Sequence, residues 1–99
     1  MIQRIVLIKL KDAYTGQEAR GEVAEHSRRV LGGLPGVVQV QVGEPAEAKS
    51  AKSWDLSIVL GFARLEDVEP YRVHPEHRAY VDDYLKPRME VIKAWNFAL

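Results

Sequence analysis

The first strand of this chain limits the fold more than any other stretch. Ile2 to Lys11 reads as a β-strand, rich in β-branched residues and polar at its far end. Arg4, Val6, Ile8 and Leu10 share one face, while Ile5 and Leu7 lie on the other. Both faces are apolar in the middle. Such a strand needs a helix layer over one side and a second apolar surface over the other. The chain has 99 residues, enough for one domain and too few for two. The second cover is therefore expected from another subunit.

The remaining elements follow in order. Thr15-Gly16-Gln17-Glu18 has the form of a capping box and predicts a helix running to about Leu31, closed by Gly32-Gly33 and stopped by Pro35. Its expected inward stripe is Ala19, Val23, His26 and Val30, with Arg20, Arg28 and Arg29 on the solvated side. Val37 to Val42 alternates valine with polar residues and reads as a second strand. Ala46 to Ser53 is small and polar and reads as a loop. Trp54 to Phe62 reads as a third strand. Trp54, Leu56, Ile58, Leu60 and Phe62 lie on its apolar face, with Asp55 opposite. Leu65 to Tyr71 reads as a short acidic helix broken by Pro70. A last helix ends near Pro87, and Met89 to Leu99 forms a fourth strand carrying Val91, Trp95 and Phe97.

The order β-α-β-β-α-β is the ferredoxin-like plan, an α+β fold with two helices over one face of a four-stranded antiparallel sheet. The other face has no helix left to cover it. A second copy packed sheet to sheet, giving a homodimeric α+β barrel, is the expected solution.

Charge and composition exclude several functions. Lys+Arg and Asp+Glu both number 14, so nothing draws the chain to nucleic acid or an anionic membrane. There is no cysteine, hence no disulfide and no thiolate nucleophile or ligand. The apolar run Ile5 to Ile8 is too short for a signal peptide or membrane span, so the expected location is the cytoplasm.

The chemistry concentrates in Tyr71-Arg72-Val73-His74-Pro75-Glu76-His77. Pro75 suits the first turn of a helix, and His74 before it is pushed out of the helical region. From His77, the residues Tyr80, Val81, Tyr84 and Leu85 fall at i+3, i+4, i+7 and i+8, so His77 heads a buried stripe. A histidine there suits a general base, and Tyr71 suits a neutral oxyanion donor. Arg4, His26, His74 and Tyr80 are the expected ligand-binding residues, with Arg4 as an anchor for a carboxylate. The alternative is structural: His74 caps the helix through its ring, and His77 bonds a backbone carbonyl. Zinc would lack third and fourth ligands, and no metal or other cofactor is expected.

Four stretches carry a family resemblance: Ile5-Val6-Leu7-Ile8-Lys9-Leu10-Lys11, Leu34-Pro35-Gly36-Val37, Trp54-Asp55-Leu56 and the seven-residue corner from Tyr71 to His77. On these the chain resembles the stress-responsive A/B barrel (Dabb) domain family, within the dimeric α+β barrel superfamily. The resemblance spans the chain as a single Dabb domain, and the H-P-x-H corner is its most specific part. It implies a homodimer with facing sheets and a pocket in each subunit between helices and sheet. Most of the family has no assigned chemistry. A plant branch cyclises polyketides by aldol condensation, and its catalytic tyrosine and histidine match Tyr71 and His77. This chain has Arg4 where that branch has a pocket histidine on strand 1. It also has Glu22, Val23 and His26 where that branch has bulky aromatics. Two readings follow. One is a domain of undetermined biochemical role that binds a small carbonyl-bearing apolar ligand. The other is a polyketide-cyclase-like lyase or isomerase using His77 and Tyr71.

Overall fold

A computed structural model describes all residues from 1 to 99. The strands are β1 (Ile2–Leu10), β2 (Gln39–Gly43), β3 (Leu56–Phe62) and β4 (Met89–Ala98). They form one antiparallel sheet in the order β2-β3-β1-β4, the ferredoxin-like topology. The helices are α1 (Gln17–Gly32), α2 (Ala48–Ser53), α3 (Val68–Val73) and α4 (Pro75–Ala79), the last widening into a π-helical turn at Tyr80–Leu85.

The core lies between the sheet and α1, α3 and α4. Val6, Ile8 and Leu10 of β1 join Leu56, Ile58, Leu60 and Phe62 of β3. Above them sit Val23, Ala24, Leu31, Val68, Tyr71, Tyr80 and Leu85. The alternation of β1 and β3 thus delivers an apolar face to the helices, interrupted at Arg4. Gly36, at φ 86°, turns the chain from α1 toward β2. That left-handed conformation suits glycine, and a Cβ there would also meet the Asp67 carbonyl oxygen at 3.5 Å.

The structure corrects several expectations. The capping box does not form: Thr15 Oγ1 donates to the Asp12 carbonyl at 2.9 Å, and Gly16 is the N-cap without a side-chain bond. A 3-10 turn at Asp12–Tyr14 uses the threonine instead. The Ala46 to Ser53 stretch contains the short helix α2. β2 starts two residues later than expected, leaving Val38 exposed. Pro70 does not break its helix, because it falls in the first turn of α3, where its missing N–H has no helical partner.

The inward stripe of α1 is Val23, Ala24, Ser27 and Leu31, not Ala19, Val23, His26 and Val30. Two polar residues turn inward because distant partners meet them. Ser27 accepts from the Tyr80 hydroxyl at 2.6 Å, and Arg20 pairs with Asp55 at 2.8 Å. Arg20 is therefore not part of a solvated face. Asp55 is buried, contrary to its expected place opposite the apolar face. Its carboxylate accepts from the Leu10 N–H at 2.7 Å, while its own N–H donates to the Ile8 carbonyl at 2.9 Å. Trp54 lies outside β3, as the C-cap of α2, rather than on the apolar face of the strand.

The main apolar face of β3 is the helix-covered one, so the uncovered side draws most of its apolar residues from β1 and β4, with Val59 of β3 opposite Ile5. Register pairs Ile5 with Trp95 and Gln3 with Phe97, which puts Ile5, Leu7, Val91, Trp95 and Phe97 on that side. Trp95 and Phe97 remain 45% and 50% exposed.

Candidate functional site

The site is built where α3 hands over to α4. His74 ends one helix and caps the next: its Nδ1 accepts from the Glu76 N–H at 3.1 Å, with Pro75 in the first turn behind it. That sharp turn swings His77 back over α3. His77 Nδ1 lies 3.0 Å from the Arg72 carbonyl oxygen, and its ring centroid is 4.4 Å from that of Tyr71. A carbonyl only accepts, so Nδ1 carries the proton. In the neutral ring Nε2 is then the free base.

Burial tunes both groups. It lowers the His77 pKa from its ordinary 6.5, opposed by the bond to Arg72 and reinforced by Arg78, Arg4 and Arg72. The ring is therefore mostly neutral near pH 7. Burial raises Tyr71 to about 12, with Arg4 pulling the other way, so its hydroxyl stays a donor. Phe62 holds the Tyr71 ring edge-on at a centroid distance of 5.1 Å. The Tyr71 hydroxyl makes no hydrogen bond within the protein and is not sealed from solvent.

Tyr71 and His77 line a cavity of about 60 Å³ together with Arg4, Val6, Ile58 and Tyr80. It is far smaller than the few hundred Å³ of a typical small-molecule pocket. Leu31, Val81 and Leu85 close on it from the helix side. Arg4 stands at its rim on β1. Its Nη1 donates to Asn96 Oδ1 at 2.9 Å on β4, its register partner. A wider groove of about 410 Å³ opens beside the cavity, and Arg4 belongs to both; Arg72, Glu69 and Asn96 line the groove.

Four of the expected site residues thus come together: Arg4, Tyr71, His77 and Tyr80. Two do not. His74 is engaged in the helix cap. His26 sits on the outer side, where the rotation of α1 leaves it, stacked on Tyr84 at 3.7 Å. It borders a separate open groove with Val30, Glu76 and Asp83. Tyr80 lines both spaces. Arg72 and Asn96 were not expected. Arg72 lies within the motif itself, while Asn96 is found only through the β1–β4 register. His, Cys, Asp and Glu nowhere gather in a group of three or more suited to a metal ion, and no helix is long and apolar enough to cross a membrane.

Comparison with known proteins places the chain, by family and fold, in a wider group. The model of the Stress Responsive A/B Barrel Domain matches residues 2–98. No curated protein matches the chain. A Dabb family protein with a ferredoxin-like fold from Mesorhizobium loti shares 21% identity at a TM-score of 0.82, over 99% of this chain and 95% of that one. A dimeric ferredoxin-like protein of unknown function from Thermobifida fusca gives 21% and 0.80, over 99% and 90%. The hydroxynitrile lyase of Passiflora edulis gives 13% and 0.79, over 99% and 92%. At these identities the likeness is one of fold.

Proposed function

The chain belongs to the stress-responsive A/B barrel domain family, and from that premise we propose that its helix–sheet cavity binds a small carbonyl compound and moves a proton at the adjacent carbon. Both contacts of the structural alternative are present, the His74 cap and the 3.0 Å bond from His77 Nδ1 to the Arg72 carbonyl. The observation that carries this reading is that His77, with no bond on Nε2, and Tyr71 line one cavity. The Nδ1 bond commits the neutral imidazole to one tautomer, with Nε2 as the base and the Tyr71 ring next to it at a centroid distance of 4.4 Å. In the proposed step Nε2 takes a proton from the carbon next to the carbonyl. The C–H electron pair becomes the C=C bond, and the carbonyl π pair moves onto oxygen. Tyr71 donates a hydrogen bond to that oxygen as its charge grows. The protonated His77 then returns its proton to carbon, or to a leaving group in a lyase.

The cavity volume of about 60 Å³ restricts the fragment it encloses. That is room for only a few water-sized groups, such as a carbonyl and its nearest carbons. A long polyketide would lie mostly outside. The small volume also favours a second reading, a domain that binds a carbonyl compound without turning it over.

Exchange of carbon-bound hydrogen separates the two. Methyl acetoacetate in D2O, followed by proton NMR, should exchange faster with the wild type than with His77→Gln or Tyr71→Phe. Equal rates for all three would end the proton-transfer reading and leave binding alone.

We also propose that the chain is a homodimer through the uncovered sheet face. The supports are the apolar group Ile5, Leu7, Trp95 and Phe97 on one side of β1 and β4, and the dimeric Thermobifida fusca protein of like fold.

A further inference from the structure

Arg4 is an arginine without a carboxylate. Its only side-chain bond is to the neutral Asn96 amide, at 2.9 Å, and it joins none of the ion pairs of the molecule. Arg20, Arg28, Arg64, Arg72 and Arg78 all reach an Asp or Glu. The others without one, Arg29 and Arg88, lie against a histidine ring and tyrosine rings. Arg4 instead stands half-buried at the cavity rim. Burying a guanidinium costs free energy unless something charged answers it.

Its surroundings leave that charge open. Arg72 shares the groove, but Glu69 balances it at 2.6 Å. Two guanidiniums against one carboxylate leave one net positive charge, that of Arg4. Asn96 spends its oxygen on Arg4 and keeps its NH2 as a donor. The guanidinium fork has donors to spare and matches the two oxygens of a carboxylate.

We infer that the ligand is an oxo acid, whose carboxylate is held by Arg4 and the Asn96 amide at the rim while its carbonyl end enters the cavity beside Tyr71 and His77. This rests on the proposed cavity as the place of the uncharged end, but not on proton transfer there. Arg4 belongs to both the 60 Å³ cavity and the 410 Å³ groove, so one ligand can occupy both spaces. One uncompensated positive charge suits a monoanion, whereas inorganic phosphate is a mixture of mono- and dianion at neutral pH.

The test compares acetoacetate with its methyl ester, which keeps the carbonyl and loses the charge. Binding is read from the shift of the His77 ring signals in NMR titrations at low salt. The wild type should bind the acid at least tenfold more tightly than the ester. Arg4→Gln should lose that preference, so that acid and ester bind it with affinities within about twofold of each other. Asn96→Ala should lower acid affinity severalfold, which keeps the test informative if Arg4→Gln folds poorly. Arg72→Gln, on the paired arginine, should have the smaller effect. Equal binding of acid and ester by the wild type overturns the anion site while the cavity stands. So does competition by inorganic phosphate stronger than by acetate. Binding of neither probe overturns both. Preference for the acid with no hydrogen exchange upholds the anion site and removes only the chemistry.

Discussion

Tyr80 donates its hydroxyl to Ser27 Oγ at 2.6 Å, across 53 residues of chain and inside the helix layer. The bond fixes the rotation of α1 against the π turn and commits the Tyr80 hydroxyl to the scaffold. Tyr80→Phe should therefore destabilise by about 1–2 kcal/mol, since Ser27 loses its buried partner. It should weaken ligand binding less than Tyr71→Phe. Urea unfolding and NMR titration with methyl acetoacetate give the two values. A larger binding loss for Tyr80→Phe would return that hydroxyl to the ligand.

His77 sets a pH dependence with a definite sign. Its pKa is lowered by burial, so the folded chain binds this proton less tightly than the unfolded chain, whose value is near 6.5. The stabilising contribution is complete above that value and is lost as pH falls through it toward the folded pKa. Proton-transfer activity should likewise fall on the acid side, with its midpoint below the ordinary histidine value, and hold across neutrality. No alkaline loss from Tyr71 is expected before pH approaches about 12. His26 is also lowered, first by burial and then by Arg29 and Arg88. His26→Gln should thus change the stability profile but leave the activity profile in place.

Leu85 is fully buried at the end of the π turn. Leu85→Ala should cost about 2–5 kcal/mol in urea unfolding. A loss below about 0.5 kcal/mol, the range of exposed sites, would contradict its place in the core.

Asp55 joins three elements, accepting from Leu10 of β1 and pairing with Arg20 of α1. Asp55→Ala orphans a backbone N–H and a largely buried guanidinium, at a cost of about 3 kcal/mol. Thermal and urea unfolding should both show it. An unchanged midpoint would mean that water replaces the carboxylate at no loss.

The uncovered sheet face should hold two copies together. Sedimentation equilibrium at micromolar concentration should give twice 11.2 kDa. Trp95→Lys should shift the mass toward one copy, because it sets a charge on the apolar side of β4. A folded wild-type monomer would end this reading.

The fold was legible in the sequence wherever periodicity is local. β1, β3 and β4 announce themselves by alternation, and Pro75 marks the start of α4. The rotation of α1 was not legible. It depends on Ser27 meeting Tyr80 and Arg20 meeting Asp55, partners 53 and 35 residues away. A helical wheel scores both inward residues as polar and turns the helix the wrong way, which drew His26 toward the cavity. The site divides in the same manner. Tyr71 and His77 are near in sequence and meet in space, whereas Asn96 reaches Arg4 only through strand register.

Asp55 makes the end of the sheet independent of the segment before it. Its side chain and its N–H bind neighbouring residues of β1, so β3 keeps its alignment from within. Residues 44 to 54 can then lengthen, shorten or change composition at little cost, because loop closure rises by only about 0.6 kcal/mol for each doubling of length. This stretch borders an open groove on the uncovered side, with Leu7 and Ser57 at its floor. It is where related chains can diversify without redesigning the scaffold, and where a peptide tag could be inserted with the fold intact.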